Sequence, residues 1–131
     1  MDYIQSGKDA GAKVYSGGER DGEDGYYIQP TIFTETTPNM KIVREEIFGP
    51  VAVVAKFKDE AEALALANNS DYGLASCFYT TNLQRAIRFA SALESGGVYV
   101  NQMGAPDVQV PFGGTKLSGW GLEDSEYALE A

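Results

Sequence analysis

PVAVVAKFKDEAEALALANNSDYGLASCFYTTNLQRAIRFASALESGGVYVN, residues 50–101, is the stretch whose reading decides the fold. It opens on PVAVVAKF (50–57), a continuous apolar and β-branched run of the kind a strand shows when it is covered on both faces. Asp59 and Glu62 then form a capping box, and Ala61, Leu64, Ala65 and Asn68 follow at helical spacing. GLASCFYT (73–80) predicts a second buried strand. Thr81 with Gln84 makes another capping box, Leu83, Ala86, Ile87, Ala90 and Leu93 form one apolar stripe, and Gly96-Gly97 stops the helix. VYVN (98–101) is a third strand. The order strand, helix, strand, helix, strand with short links predicts the α/β class, with a mostly parallel sheet and right-handed crossovers.

Outward from this block the pattern is less regular. Residues 1–15 read as a polar helix, with Tyr3 and Ile4 as its apolar face and Gly7 and Gly11 weakening it, followed by a short strand at Lys13-Val14-Tyr15. SGGERDGEDG (16–25) is a charged, turn-rich loop. YYIQPTIF (26–33) is strand-like, although Pro30 confines it to an edge or an irregular stretch. TETTPNMKIVREE (34–46) is a connection with one helical turn. After Asn101 comes a glycine-rich loop, QMGAPDVQVPFGGTKLSGWG (102–121), and a terminal helix is expected from about Glu123–Ser125. No repeat, low-complexity tract or long linker divides the chain, so residues 1–131 are expected to form one domain.

Composition narrows the function classes. The net charge of −9 repels phosphate backbones and anionic lipids, which argues against nucleic-acid and membrane partners. No run approaches the roughly 18 apolar residues of a membrane span. The N-terminal MDYIQSGKDAGAK lacks the basic-then-apolar order of a secretion signal, which makes the cytosol the default expectation. There is no histidine, which removes the commonest general base and, with a lone Cys77, any Cys/His metal site.

Read singly, the chemistry-bearing residues have ordinary explanations. Glu45 and Glu46, directly before an apolar strand, are solvated, salt-bridged or in use at a ligand site. Phe48 beside Gly49-Pro50 fits a core plug at a turn, and Asn101 at a strand end fits a turn former. Phe112-Gly113-Gly114 matches neither a phosphate-binding P-loop nor a G-x-G-x-x-G fingerprint. Cys77, among Leu74, Ala75, Phe78 and Tyr79, reads as buried and inert.

Read together, the motifs say more. EEIFGPV, ANNSDYGLAS, SGGVYVN and PFGGTKLSG, in that order and spacing, resemble the C-terminal part of the catalytic domain of the aldehyde dehydrogenase superfamily. GYYIQPTIF and GKDAGAKVYSGG fit the same likeness, which extends over essentially all 131 residues. The resemblance implies oxidation of an aldehyde to a carboxylic acid with NAD or NADP, by attack of a cysteine thiolate, hydride transfer to nicotinamide, and hydrolysis by a glutamate-activated water. It implies that Glu46 bonds the nicotinamide ribose hydroxyls and that Phe48 packs on the nicotinamide side of the cofactor. A two-oxygen acceptor suits a vicinal diol, and an aromatic wall orients a flat ring. Glu45 is then a surface or salt-bridge partner. By the same likeness Asn101, Pro106 and Phe112 border the aldehyde, while Gly113, Gly114, Lys116, Ser118 and Gly119 are structural. Gln102, Met103, Gly104, Ala105 and Pro106 stand where many members carry bulkier aromatic residues, so substrate preference does not transfer.

The resemblance also implies what this stretch lacks: the cofactor-binding domain, the nucleophilic cysteine, the glutamate base and the terminal oligomerisation strand. Cys77 aligns with an ordinary strand position. Two readings follow. The chain is an aldehyde dehydrogenase segment, inactive in isolation, that holds NAD or NADP only weakly by itself and associates with a second copy or with the rest of such an enzyme. Alternatively, it is a stand-alone relative, a binding or regulatory partner or a catalyst of a reaction needing neither thiol nor NAD. Met1 and the end at Ala131 favour the independent product; the intact cofactor motif favours the first reading.

Overall fold

A computed structural model of the chain describes residues 1–104 and 107–129. It divides into two compact units at Lys58/Asp59.

The first unit begins with helix α1 (Asp2–Asp9) and strand β1 (Lys13–Ser16). Strand β2 (Thr31–Thr34), the short helix α2 (Lys41–Arg44) and strand β3 (Val51–Val53) follow. β2 is the middle strand, antiparallel to β1 and parallel to β3. Ile4, Ala12, Phe33 and Ile42 form the buried core, with Phe33 0% exposed. Gly7, which weakens α1 by propensity, has a packing reason for being there. A Cβ on it would lie 2.9 Å from Ile42 Cδ1 and 3.0 Å from Phe33 Cζ, so its hydrogen is what lets α1 settle onto the core. The buried Thr31 hydroxyl accepts from the Gly18 amide at 2.8 Å and donates to the Gln29 carbonyl at 2.8 Å, closing the base of the charged loop.

The second unit runs from Asp59 onward. Helix α3 (Glu60–Asn68) is followed by strands β4 (Tyr72–Gly73) and β5 (Ala75–Phe78), helix α4 (Leu83–Ala92) and strand β6 (Gly97–Val100). The short strands β7 (Phe112–Gly113), β8 (Thr115–Lys116) and β9 (Leu122–Glu123) precede a single 3₁₀ turn, Glu126–Leu129. β5 and β6 pair in parallel, joined through α4, with Ala75 opposite Gly97 and Phe78 opposite Val100. β4 pairs with β8 and β7 with β9, both antiparallel.

The expected α/β class is present, and the expected boundaries differ in instructive ways. Among the described residues two strand pairings are parallel and three antiparallel, so the sheet content is mixed rather than mostly parallel. The run 50–57 does not join β5 and β6 in one sheet. It is ordered as strand only over Val51–Val53, because its partner β2 offers no more backbone; the last bond runs from the Val54 amide to the Phe33 carbonyl. Nor are both its faces covered, for Val54 and Phe57 are exposed. Asp59 caps α3 as anticipated, accepting from the Glu62 amide at 2.9 Å. The cap of α4 is Asn82 instead of Thr81, its side chain accepting from the Arg85 amide at 3.0 Å; asparagine is as good a cap as threonine, one position on. α4 ends at Ala92, before the glycines, and the terminal helix is replaced by β9 and the 3₁₀ turn.

Gly96 serves close approach rather than helix termination. A Cβ there would lie 1.8 Å from the Gly113 carbonyl oxygen, so Gly96→Ala must push two backbones apart. The expected cost is about 1–3 kcal/mol, the usual penalty of overpacking, read as a lower urea midpoint of the chain. Glu60 supplies a second prediction. Its carboxylate is clasped by Arg88 (2.8 Å) and by Arg85, joining α3 to α4. The hydrogen bond from Arg88, then that from Arg85, holds the Glu60 carboxyl below its ordinary value. A depressed carboxylate contributes stability that is present above its unfolded-state value and is lost as pH falls through the folded one. Unfolding of wild type and Glu60→Gln compared from pH 6 down to pH 3 should therefore show the wild-type advantage shrinking with acid.

Candidate functional site

The EEIFGP loop is hung between two fixed ends. Upstream, α2 is seated by Ile42 in the core and ends at Glu45, whose amide donates to the Lys41 carbonyl at 3.0 Å and whose backbone is extended (φ −108°, ψ 151°). Downstream, the Pro50 carbonyl accepts from the Thr31 amide at 2.8 Å, and Val51 enters β3. Within the loop, the Gly49 amide donates to the Ile47 carbonyl at 2.9 Å and the Val51 amide to the Gly49 carbonyl at 2.8 Å. Ile47 is half-buried against the core cluster, while Glu46 and Phe48 on either side are exposed, Phe48 at 91%.

Phe48 is therefore not a core plug. A phenylalanine so open to water leaves its apolar surface uncovered. Glu46 makes no hydrogen bond or ion pair among the described residues. Glu45 differs: its Oε2 accepts from the Tyr3 hydroxyl at 2.7 Å and lies 3.8 Å from Lys41 Nζ. The two glutamates thus differ: Glu45 is tied to Tyr3 and Lys41, and Glu46 is exposed two positions before the exposed ring of Phe48.

Asn101 and Phe112 belong to the second unit. Asn101 sits at the end of β6 in the left-handed region (φ 60°), a conformation asparagine tolerates. Its Oδ1 accepts from the Thr80 amide at 2.8 Å and its Nδ2 donates to the Thr80 carbonyl at 3.0 Å. The side chain thus clamps the ends of the parallel pair β5–β6 together, instead of bonding its own backbone as a simple turn former. Phe112 is half-buried in β7. Pro106 lies outside the described residues.

The segment after β7 is pinned to the turn before β5. Lys116 Nζ donates to the carbonyls of Asn68 (2.9 Å) and Ser70 (3.0 Å) and pairs with Glu94 at 2.7 Å. The Ser118 hydroxyl accepts from the Gly73 amide at 2.9 Å, and the Thr115 hydroxyl points at the carbonyls of Gly73 (3.1 Å) and Glu94 (2.9 Å). These bonds knit PFGGTKLSG to ANNSDYG, and they give Lys116 and Ser118 a structural part in this unit. Sequence reasoning missed the Tyr3 tie to Glu45, because Tyr3 was read only for its apolar ring; tyrosine's amphipathic character was the available signal. Cys77 is exposed on β5, which corrects the expectation of burial: no described residue covers that face of the β5–β6 pair. Among the described residues no group of three acidic, cysteine or histidine side chains could hold a metal ion, and no helix is long and apolar enough to cross a membrane.

Comparison with known proteins places this geometry in a family. The profile of the aldehyde dehydrogenase family matches residues 1–131. The chain is 54% identical over 130 residues to an aldehyde dehydrogenase of Emericella nidulans, covering 99% of this chain and 26% of that protein. It is 50% identical over 129 residues to human retinaldehyde dehydrogenase 3, covering 98% of this chain and 25% of that protein. Among solved structures, the NAD+ complex of an aldehyde dehydrogenase from Bacillus cereus superposes with a TM-score of 0.95 at 46% identity, over 98% of this chain and 26% of that one. The chain thus spans about a quarter of the length of the relatives it matches. With the family profile matched from end to end and about half of its residues shared with such relatives, the chain belongs to the aldehyde dehydrogenase family.

Proposed function

We propose that this chain supplies the nicotinamide-facing wall of an aldehyde dehydrogenase that oxidises an aldehyde to a carboxylic acid with NAD or NADP, and that the reactive thiol is contributed from outside these residues. The observation that supports the reading is the exposure pattern at 46–48: Ile47 packs against the core, and Glu46 and Phe48 on either side of it are exposed.

The bound dinucleotide supplies the hydride acceptor. The chain's own residues bind and orient it. The Glu46 carboxylate would hold the cofactor by accepting from its ribose hydroxyls, a two-oxygen acceptor for a vicinal diol. Phe48 forms a flat, apolar boundary that restricts rotation of the ring and excludes water. Holding reacting groups in a near-attack geometry is worth roughly 7–11 kcal/mol of barrier in favourable cases, so these residues act on rate as well as on affinity. On the substrate side, Asn101 acts by fixing the strand end, and Phe112 is the residue of this chain that would border the aldehyde. Apolar side chains that the units leave exposed, among them Phe57, Leu83, Ile87 and Trp120, give the surface on which the rest of such an enzyme or a second copy would pack.

Cys77 is the only thiol in the chain, and it lies on a strand rather than at the end of one. The chain alone, given NAD+ or NADP+ and a panel of aldehydes, is expected to form no reduced cofactor, with Cys77→Ser indistinguishable from wild type. Turnover that survives Cys77→Ser contradicts the account of where the nucleophile lies. Turnover abolished by Cys77→Ser contradicts it as well, by making Cys77 the nucleophile.

A further inference from the structure

We propose that Tyr3 and Lys41 are positioning residues for the cofactor-facing loop. By holding Glu45 they set the direction in which Glu46 and Phe48 leave α2. The proposal rests on the reading of Glu46 and Phe48 given above.

Three groups from two helices close on one another. The Tyr3 hydroxyl donates to Glu45 Oε2 at 2.7 Å across 42 residues of sequence. Lys41 Nζ lies 3.8 Å from the same oxygen and 4.9 Å from the centre of the Tyr3 ring. An O–H···O⁻ bond of this length is charge-assisted, and the ammonium faces both the carboxylate and the π-face of the ring that bonds it. The Lys41–Glu45 contact alone would be an exposed i,i+4 pair of little consequence. The phenol changes its character, because it anchors the pair to a second helix whose next residue, Ile4, is buried in the core.

The position of the tie matters more than its strength. Glu45 is the residue at which the chain leaves helical geometry, at φ −108° and ψ 151°. Two dihedrals there decide where the next residues point. The far end of the loop is already fixed by the bond from Thr31 to Pro50 and by β3. With Glu45 also held, the residues between have both ends restrained and the alternation 46-out, 47-in, 48-out persists. With Glu45 loose, the restraints left within the loop among the described residues are the Gly49–Ile47 and Val51–Gly49 bonds and the packing of Ile47. The device is thus built into this chain and acts through Glu45, which itself touches no ligand.

The test is amide hydrogen exchange, resolved by NMR, on the full 131-residue chain. The Gly49 amide, bonded to Ile47, reports the loop; the Val54 amide, bonded to Phe33, reports the sheet. Tyr3→Phe removes only the hydroxyl and keeps the ring. It is expected to lower Gly49 protection about tenfold, the scale of one hydrogen bond to a charged group, and to change Val54 less than twofold. Glu45→Gln keeps an acceptor for the phenol and is expected to retain more protection than Glu45→Ala, which should match Tyr3→Phe. Unchanged Gly49 protection in Tyr3→Phe overturns the proposal. So does an equal fall at Gly49 and Val54, which marks general loosening, or equal losses in Glu45→Gln and Glu45→Ala. Because no cofactor is present, these outcomes are independent of whether Glu46 meets a ribose. That is read separately by titrating the same labelled chain with millimolar NAD+: no shift at Glu46 and Phe48 counts against the cofactor reading and leaves the exchange result standing.

Discussion

The burial of Phe33 is the contact on which the rest depends. It sits on the middle strand of the first sheet, and its ring reaches the position that Gly7 leaves open on α1, beside Ile42 of α2. One side chain thereby fixes a strand and two helices. Burying a phenylalanine contributes about 1.5–3 kcal/mol, and the larger consequence is geometric. With Ile42 seated, α2 is held on the core, its C-cap Glu45 meets Tyr3, and the chain runs on to β3 with Ile47 packed against the core. Glu46 and Phe48, on either side of Ile47, are exposed.

The second unit is held by different means. Among the described residues it buries no apolar side chain; its only buried residue is Gly73. What organises it is polar and local: the Asn101 clamp on Thr80, the grip of Lys116 on two carbonyls and Glu94, the seryl and threonyl bonds to Gly73, and the Arg85–Glu60–Arg88 clasp. Its glycines permit backbones to meet at distances no Cβ allows. Meanwhile Ile87 is 59% exposed and Trp120 is 97% exposed. Hydrogen bonds define the shape of such a unit, whereas the favourable free energy of a fold comes chiefly from apolar burial. The exposed apolar faces are accordingly surfaces that await cover.

This contrast explains which parts of the sequence were readable. The helices α1, α3 and α4, their alternation with β3, β5 and β6, and the capping of α3 by Asp59 were legible because helical spacing and capping are local physics, whereas the short strands β4 and β7–β9 carry no such pattern. The roles assigned to the two glutamates rest on motif resemblance rather than on local physics. The extent of PVAVVAKF was misjudged because continuous hydrophobicity reports that a surface will be covered without saying by what. Here β2 pairs only its first residues, and Val54 and Phe57 remain open. The same reasoning misplaced Cys77. The shift of the α4 cap from Thr81 to Asn82 is a choice between neighbouring residues of equal merit, which pattern cannot resolve. The Tyr3–Glu45 tie joins distant residues, and no local rule points to it.

The central claim is that Glu46 and Phe48 form a cofactor wall for a thiol located elsewhere. The most direct test replaces the matching quarter of the Emericella nidulans aldehyde dehydrogenase with this chain and compares the chimera with its Glu46→Gln and Phe48→Ala forms in steady-state kinetics. The account predicts aldehyde-dependent NADH formation by the chimera. It also predicts a loss of about tenfold or more in kcat/KM for NAD+ in each variant, as expected when an orienting contact is removed. Variants that match the parent chimera in both kcat and KM for NAD+ would contradict it.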